Sequence, residues 1–169
     1  MQPATQRSPE TATAWVEEGR RMERQERNTS ALAAYDRALA LDPGLEAAWM
    51  RKAMLLEELD RVEEALAVYA GLLERHPCHL AACSNRAGLL LQEGRHDEAL
   101  ASLELALAGD PGNHLLALNK GLLLMQGYER VAEALPWLQR AQAAGLGEAE
   151  EAVAICKAAL AEAGTEGGE

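Results

Sequence analysis

Leu-Asp-Pro at 41–43, Arg-His-Pro at 75–77 and Gly-Asp-Pro at 109–111 decide how this chain folds. Their prolines, Pro43, Pro77 and Pro111, stand 34 residues apart, twice in succession. Working outward, other residues keep the interval. Trp15 pairs with Trp49, Tyr35 with Tyr69 and Leu103, and Ala31 with Ala65 and Ala99. Glu-Glu-Ala-Leu at 63–66 answers Asp-Glu-Ala-Leu at 97–100. Self-similarity at this period means stacked supersecondary units.

Each unit reads as two helices. Trp49, Ala53, Leu56 and Leu59 recur at helical spacing, and after Asp60 a second series follows: Ala65, Leu66, Tyr69, Leu72 and Leu73. Pro77 closes the unit, because proline cannot continue a helix and restricts the residue before it. Small residues at 53, 65, 87 and 99 let two helix axes approach. One such hairpin cannot bury its own apolar face, whereas several stacked hairpins can.

Composition agrees. Of 169 residues 49% are hydrophobic but only 4% aromatic, with no Phe, so the core is built from Ala and Leu. That suits close-packed helices and argues against a β-sandwich or barrel. A net charge of −11 repels phosphate backbones and anionic bilayers, which argues against nucleic-acid and membrane partners. Three cysteines are too few for a disulfide framework. The first residues carry no apolar signal segment, and no run approaches the roughly 20 apolar residues of a transmembrane helix. The expectation is a soluble, cytoplasmic protein.

These residues resemble the tetratricopeptide repeat (TPR) family. Its unit favours Trp, a small residue and a large apolar residue in the first helix. It favours Ala, an aromatic and Ala in the second helix, with a closing Pro. The first repeat, 12–45, supplies Trp15, Gly19, Met22, Ala31, Tyr35, Ala38 and Pro43; the second, 46–79, supplies Trp49, Ala53, Leu56, Ala65, Tyr69, Leu72 and Pro77. The third, 80–113, supplies Cys83, Ala87, Leu90, Ala99, Leu103, Ala106 and Pro111. The resemblance implies an all-α, right-handed α-solenoid of antiparallel helix hairpins, about nine helices in all.

The fourth unit, 114–148, departs from the pattern. Ala117, Gly121 and Leu124 keep register, but Ala134, Leu138 and Ala141 come one residue late, which places an insertion in the inter-helix turn near Gly127. Pro136 requires the second helix to begin near Ala132 or to kink. A capping helix over 148–163 follows, with Ala149, Ala152, Val153, Cys156 and Leu160 on its inner face. Residues 1–11 and 164–169 read as disordered tails.

The chain carries no recognisable catalytic apparatus. Adjacent acidic pairs such as Glu57–Glu58 point about 100° apart on a helix and do not face one substrate. Phosphate-binding loops, nucleophile elbows and His-Glu-x-x-His are missing. Cys78, His79 and Cys83, with His76, form one metal-like cluster. Its spacing matches no zinc pattern closely, and Cys83 stands where other units place Trp, as a buried small hydrophobe would. No metal and no cofactor are expected.

The resemblance also implies a concave groove. Its first-helix positions are Thr13, Val16, Arg20, Glu23 and Arg24, then Ala47, Met50, Met54, Glu57 and Glu58. The third unit gives Ala81, Ser84, Gly88, Leu91 and Gln92, and the fourth Leu115, Leu118, Leu122, Met125 and Gln126. Asn85 and Asn119 stand beside them, 34 residues apart, and each side chain can donate to and accept from a peptide backbone. The expected binding residues are therefore Arg20, Met50, Met54, Ser84, Asn85, Gly88, Leu115, Leu118, Asn119, Leu122 and Met125. The carboxylate clamp by which related proteins hold chaperone tails is not retained: Met50, Met54, Leu115 and Asn119 stand where it needs other polar or cationic groups. The expected function is a non-catalytic adaptor that holds an extended or helical segment of another protein. Three alternatives stay open. One is a small secretion or assembly chaperone. Another is a metal-binding protein or enzyme using Cys78, His79 and Cys83. The third is a groove covered by the chain's own tail or end helix. Neither the partner nor the oligomeric state can be read from the sequence.

Overall fold

A computed structural model describes residues 10–166, with side chains as far as residue 163. Among the described residues the chain forms nine α-helices, one π-helical turn and no strand. The helices fall into two compact units that divide between Arg75 and His76. The first unit holds α1 (Ala12–Glu23), α2 (Asn28–Leu41), α3 (Glu46–Glu58) and α4 (Val62–Arg75). The second holds α5 (Leu80–Gln92), α6 (His96–Gly109), α7 (His114–Leu122), the π turn Leu123–Gly127, α8 (Val131–Ala143) and α9 (Gly147–Glu166). The first helices of the four hairpins begin at Ala12, Glu46, Leu80 and His114, each 34 residues after the last.

The helix starts follow local chemistry. The residue before each first helix is Thr11, Leu45, His79 or Asn113. Thr11 Oγ1 accepts from the Ala14 amide, His79 Nδ1 from Ala82 and Asn113 Oδ1 from Leu116, at 3.0–3.1 Å. Each satisfies one of the helix's orphan N–H groups. Leu45 has no such side chain, and Glu46 in the first turn supports that end of the helix dipole instead.

The turn inside each hairpin repeats as well. A residue with positive φ ends the first helix: Glu26 at 59°, Asp60 at 57°, Gly94 at 69° and Glu129 at 54°. The next amide donates back into the helix, from Arg27 to Met22, Arg61 to Leu56, Arg95 to Leu90 and Arg130 to Leu124. The acceptors are evenly spaced, but the last donor is one residue late. The surplus residue therefore lies between Leu124 and Arg130. It is absorbed near Gly127, as the sequence placed it, but as a π turn, Leu123–Gly127, in the end of the first helix rather than as extra residues in the connection. Leu123 and Leu124 are buried and hold the register, so the extra residue is accommodated after them.

Three arginines at the second-helix starts grip the first turn. Arg61 forks onto Glu64, Arg95 onto Glu98 and Arg130 onto Glu133. In every case the arginine bond holds the glutamate below its ordinary pKa of 4.5. The pairs are solvent-exposed, so each adds little stability on its own.

In the first unit the core is Tyr35, Leu56, Tyr69 and Leu72, all fully buried. The Tyr35 hydroxyl donates to Glu23 at 2.6 Å, and burial, reinforced by that bond, pushes its pKa up. A Cβ on Gly19 would come within 2.5 Å of the Tyr35 ring, so α1 and α2 touch only because residue 19 has no side chain. Lys52 ties α3 to α2 through Asp36 at 2.6 Å, and the Trp49 indole donates to the Pro43 carbonyl at 2.8 Å.

The second unit repeats this plan. A Cβ on Gly121 would lie 2.6 Å from Leu138 Cγ and 3.2 Å from its amide nitrogen. Lys120 pairs with Glu104 at 2.8 Å and lies over the Trp137 ring. α8 starts at Val131 and contains Pro136. Ala132 and Pro136 are both exposed, so water can donate to the Ala132 carbonyl the hydrogen bond that the proline cannot. α9 packs Ala149, Ala152, Val153 and Cys156 against Leu138 and Ala141 of α8. Two expectations for this helix are corrected. Leu160 is 36% exposed and lies outside the packed face. The helical backbone continues through residues 164–166, read from sequence as a tail, because α9 carries helix-forming Ala161, Glu162 and Ala163 into its last turn. Thr11, also assigned to a tail, is the α1 cap. The remaining tail positions, 1–9 and 167–169, lie outside the described residues.

Two outcomes follow. Gly121→Ala gains about 1 kcal/mol of helix propensity but overpacks Leu138 at a cost of about 1–3 kcal/mol. The net effect is destabilisation, read as a lower urea midpoint by circular dichroism. For pH, Glu64, Glu98 and Glu133 have folded-state pKa values below their unfolded ones. Their contribution is present above pH 4.5 and is lost as pH falls through the folded values. A triple Glu→Gln variant at these positions should lose less stability than the parent between pH 5 and pH 3, as followed by urea titrations at each pH.

Candidate functional site

A cleft of about 130 Å³ opens in the second unit between α5, α6 and α7. Ser84, Ala87, Gly88 and Leu91 line it from α5, Leu103 from α6, and Asn119, Leu122 and Leu123 from α7 and the π turn. The caps at His79 and Asn113 start α5 and α7 in the same register, which brings the Ser84–Gly88 turn opposite Asn119 and Leu122. Leu103 closes the floor as the fully buried counterpart of the core tyrosines Tyr35 and Tyr69.

The walls are apolar with two polar exceptions. Ser84 Oγ is buried and has no hydrogen-bond partner. The Asn119 carboxamide likewise makes no hydrogen bond with another described residue. A buried polar atom without a partner is costly, so such groups mark places where another molecule or water completes the bonding. Gly88 is open: a Cβ built there would meet nothing within 4 Å.

The sequence-derived groove residues separate in the structure. Ser84, Gly88, Asn119 and Leu122 converge on the cleft. Asn85 sits next to Ser84 on α5 but does not line it, and Leu115 is 52% exposed on α7. Leu118 corrects an expectation. It is 3% exposed and packs with Leu124, Ala134 and Leu138, because the hairpin α7–α8 and the α9 cap close over that side of α7. Met125 is half-buried against the same cluster. In the first unit Arg20 pairs with Glu17 at 3.0 Å, Met50 is half-buried and Met54 is 38% exposed. Sequence reasoning missed Ala87, Leu103 and Leu123 as walls. Ala87 and Leu103 read as packing positions and Leu123 carries no repeat signal, and periodicity does not distinguish a packed side chain from one that packs and also borders a void.

The Cys/His cluster is occupied by structural tasks. His79 Nδ1 is the α5 cap acceptor, at 3.1 Å from the Ala82 amide. Cys83 is fully buried, and burial pushes its thiol pKa up, which disfavours the thiolate that binds metals. The exposed Cys78 lies against Gly109, where a Cβ would come within 2.3 Å of its sulfur. Beside the π turn, Tyr128 donates to Asp97 and packs edge-on against His96. Burial and then the Asp97 bond push its phenol up to about 12.

The helix-hairpin repeat is matched by a tetratricopeptide repeat model over residues 1–46, 16–79, 50–114 and 85–145, which together span most of the sequence. The chain belongs to the tetratricopeptide repeat family. Solved structures share the TPR fold. A TPR protein from Parabacteroides merdae ATCC 43184 aligns with a TM-score of 0.77 at 19% identity, over 88% of this chain and 60% of that one. PilW, a widely conserved type IV pilus biogenesis factor, aligns at 0.71 and 23% identity, over 93% and 73%. YrrB, a TPR protein with an unusual peptide-binding site, aligns at 0.68 and 19% identity, over 87% and 76%. No curated protein matches the sequence. The TPR hairpin explains the core described above, and both units are built from it.

The burial pattern gives a direct test on the two neighbouring leucines. Leu118→Glu places a carboxylate among Leu124, Ala134 and Leu138 and should cost more than about 4 kcal/mol, enough to abolish cooperative unfolding. Leu115→Glu, on the exposed side of the same helix, should stay within about 0.5 kcal/mol of the parent in urea denaturation.

Proposed function

We propose that this TPR protein is a non-catalytic interaction module that holds an extended or helical segment of another protein against the α5–α7 face of its second unit. The observation that carries the reading is the cleft. It has apolar walls, a buried Ser84 hydroxyl without a partner, and an Asn119 carboxamide free among the described residues. Apolar walls contribute affinity through burial, and the two polar groups fix the orientation of what binds. TPR proteins as a family bind proteins and peptides, which supports the same class of partner. Leu115, exposed on α7, and Met125 of the fourth repeat are further contacts in this reading. Asn85, on α5 beside Ser84, is a further polar contact in this reading, and Met50, Met54 and Arg20 are candidate contacts on the first unit taken by itself.

The net charge of −11 favours a partner with basic flanks and disfavours nucleic acid or anionic lipid. Among the described residues no helix is long and apolar enough to cross a membrane. A cytoplasmic location is part of the proposal.

Panning the full chain against a phage-displayed library of random dodecapeptides tests the reading. Enriched peptides should bind in calorimetry. Asn119→Ala should weaken them several-fold, as expected for one lost hydrogen bond of about 1 kcal/mol, with the helical spectrum unchanged. Failure to enrich any peptide, or peptides indifferent to Asn119→Ala and to Leu122→Glu, would sink the proposal.

A further inference from the structure

We propose that the cleft beside Gly88 is a socket for one uncharged aliphatic side chain, of leucine or methionine size, carried by the bound segment. Ser84 and Asn119 then hydrogen-bond the segment's main chain on either side of that residue. The inference rests on the interaction reading above and names what the cleft selects.

Gly88 is the first ground. A glycine inside a helix costs about 1 kcal/mol relative to alanine, so it needs a reason. Three other helical glycines have one: Gly19 abuts Tyr35, Gly71 abuts Trp49, and Gly121 abuts Leu138, each at under 3.0 Å from a built Cβ. At Gly88 nothing lies within 4 Å. The folded chain does not use the space that this glycine vacates, and that space is the cleft.

Size is the second ground. The cleft measures about 130 Å³. An apolar cavity of about 150 Å³ takes up a benzene molecule. One leucine or methionine side chain matches that scale, an alanine leaves most of it empty, and an indole exceeds it.

Charge is the third. The protein carries −11 overall, yet the groove positions of α5, α7 and the π turn contain no ionisable side chain. They are occupied by Ala, Ser, Asn, Gly, Leu, Met and Gln. An ammonium or carboxylate in the socket would be desolvated without a counter-charge, a heavy cost. The polar inventory completes the assignment. A serine hydroxyl donates one bond and an asparagine carboxamide both donates and accepts, which is the complement of a peptide main chain and needs no particular flanking sequence. A main-chain partner satisfies the buried Ser84 Oγ that the fold leaves unpaired.

The test uses capped amino acids, which carry one side chain and two peptide groups. The ¹⁵N-labelled full chain is titrated with N-acetyl-leucinamide, N-acetyl-methioninamide, N-acetyl-glutamic acid amide and N-acetyl-tryptophanamide to tens of millimolar. Saturable shifts of the Ser84, Gly88 and Asn119 amides are expected with the leucine and methionine probes only. Gly88→Leu fills the socket from within. It should weaken the leucine probe at least about tenfold while raising the thermal midpoint, since it relieves a helical glycine. Gly88→Ala should give the same stabilisation with a smaller loss of binding. Absent or non-saturable shifts with the leucine probe, equal response to the glutamate probe, or undiminished binding by Gly88→Leu each overturn the socket. The two readings fail separately. Library peptides that bind the parent and Gly88→Leu equally well leave the interaction reading standing and remove the socket. A library that yields no peptide removes the interaction reading, and the socket is then decided by the amide titration alone.

Discussion

Everything in this structure depends on how closely the two helices of a hairpin approach. At Gly19 and Gly121 the first helix lies so near the second that even a methyl group would collide with Tyr35 or Leu138. Ala53 and Ala87 occupy the same place in the other two hairpins and are buried almost completely. Short interaxial distance lets a core of Ala, Leu and two tyrosines reach interior packing density without phenylalanine. It also explains why the repeat tolerates so much change elsewhere. Only a small residue on one helix and a large one on the other are needed, at fixed separation, and the surface between them is free to vary.

Polar groups set the register of that packing more than they add stability to it. Side-chain caps at Thr11, His79 and Asn113 fix where three of the first helices begin. Backbone bonds into the last helical turn, from Arg27, Arg61, Arg95 and Arg130, fix where they end. The arginine–glutamate forks on the second helices are exposed and individually weak, yet they recur at the same place in three hairpins. Lys52–Asp36 and Lys120–Glu104 do the same between consecutive hairpins within each unit. The fourth hairpin shows what happens when the count is wrong by one. The surplus residue is taken up as a π turn, and both the buried leucines that open it and the arginine fork after it keep their places.

The cleft has a different origin. It arises where the packing rule is not applied: Gly88 lies one residue beyond the small packing position, Ala87, and its missing side chain faces no neighbour. Bounded by a buried leucine below and a serine and an asparagine at the sides, the space is apolar with two fixed polar groups. Such a site has the chemistry of recognition. It offers no nucleophile paired with a base and no cluster of charged groups. His79 and Cys83, the residues that first suggested metal chemistry, are tied up as a helix cap and as core.

How much of this was legible in the sequence follows from the kind of information each feature needs. The period, the hairpin, the helix starts near 12, 46, 80 and 114 and most of the core positions were readable. Proline spacing and apolar periodicity are local properties of the chain, and the resemblance to TPR units rests on the same residues. The one-residue surplus in the fourth unit was readable too, but not that a π turn would absorb it, because that choice depends on Leu123 and Leu124 being held in the core. For the same reason Leu118 looked like a groove residue from its place in the unit, while α8 and α9 bury it. Leu160 looked like a packed residue and is exposed. A periodic pattern states which face a side chain occupies, but not what stands opposite that face. Whether a position is core, wall or open surface is decided only when neighbouring helices are brought to their final distances, and that is why the cleft at Gly88 belongs to the tertiary structure alone.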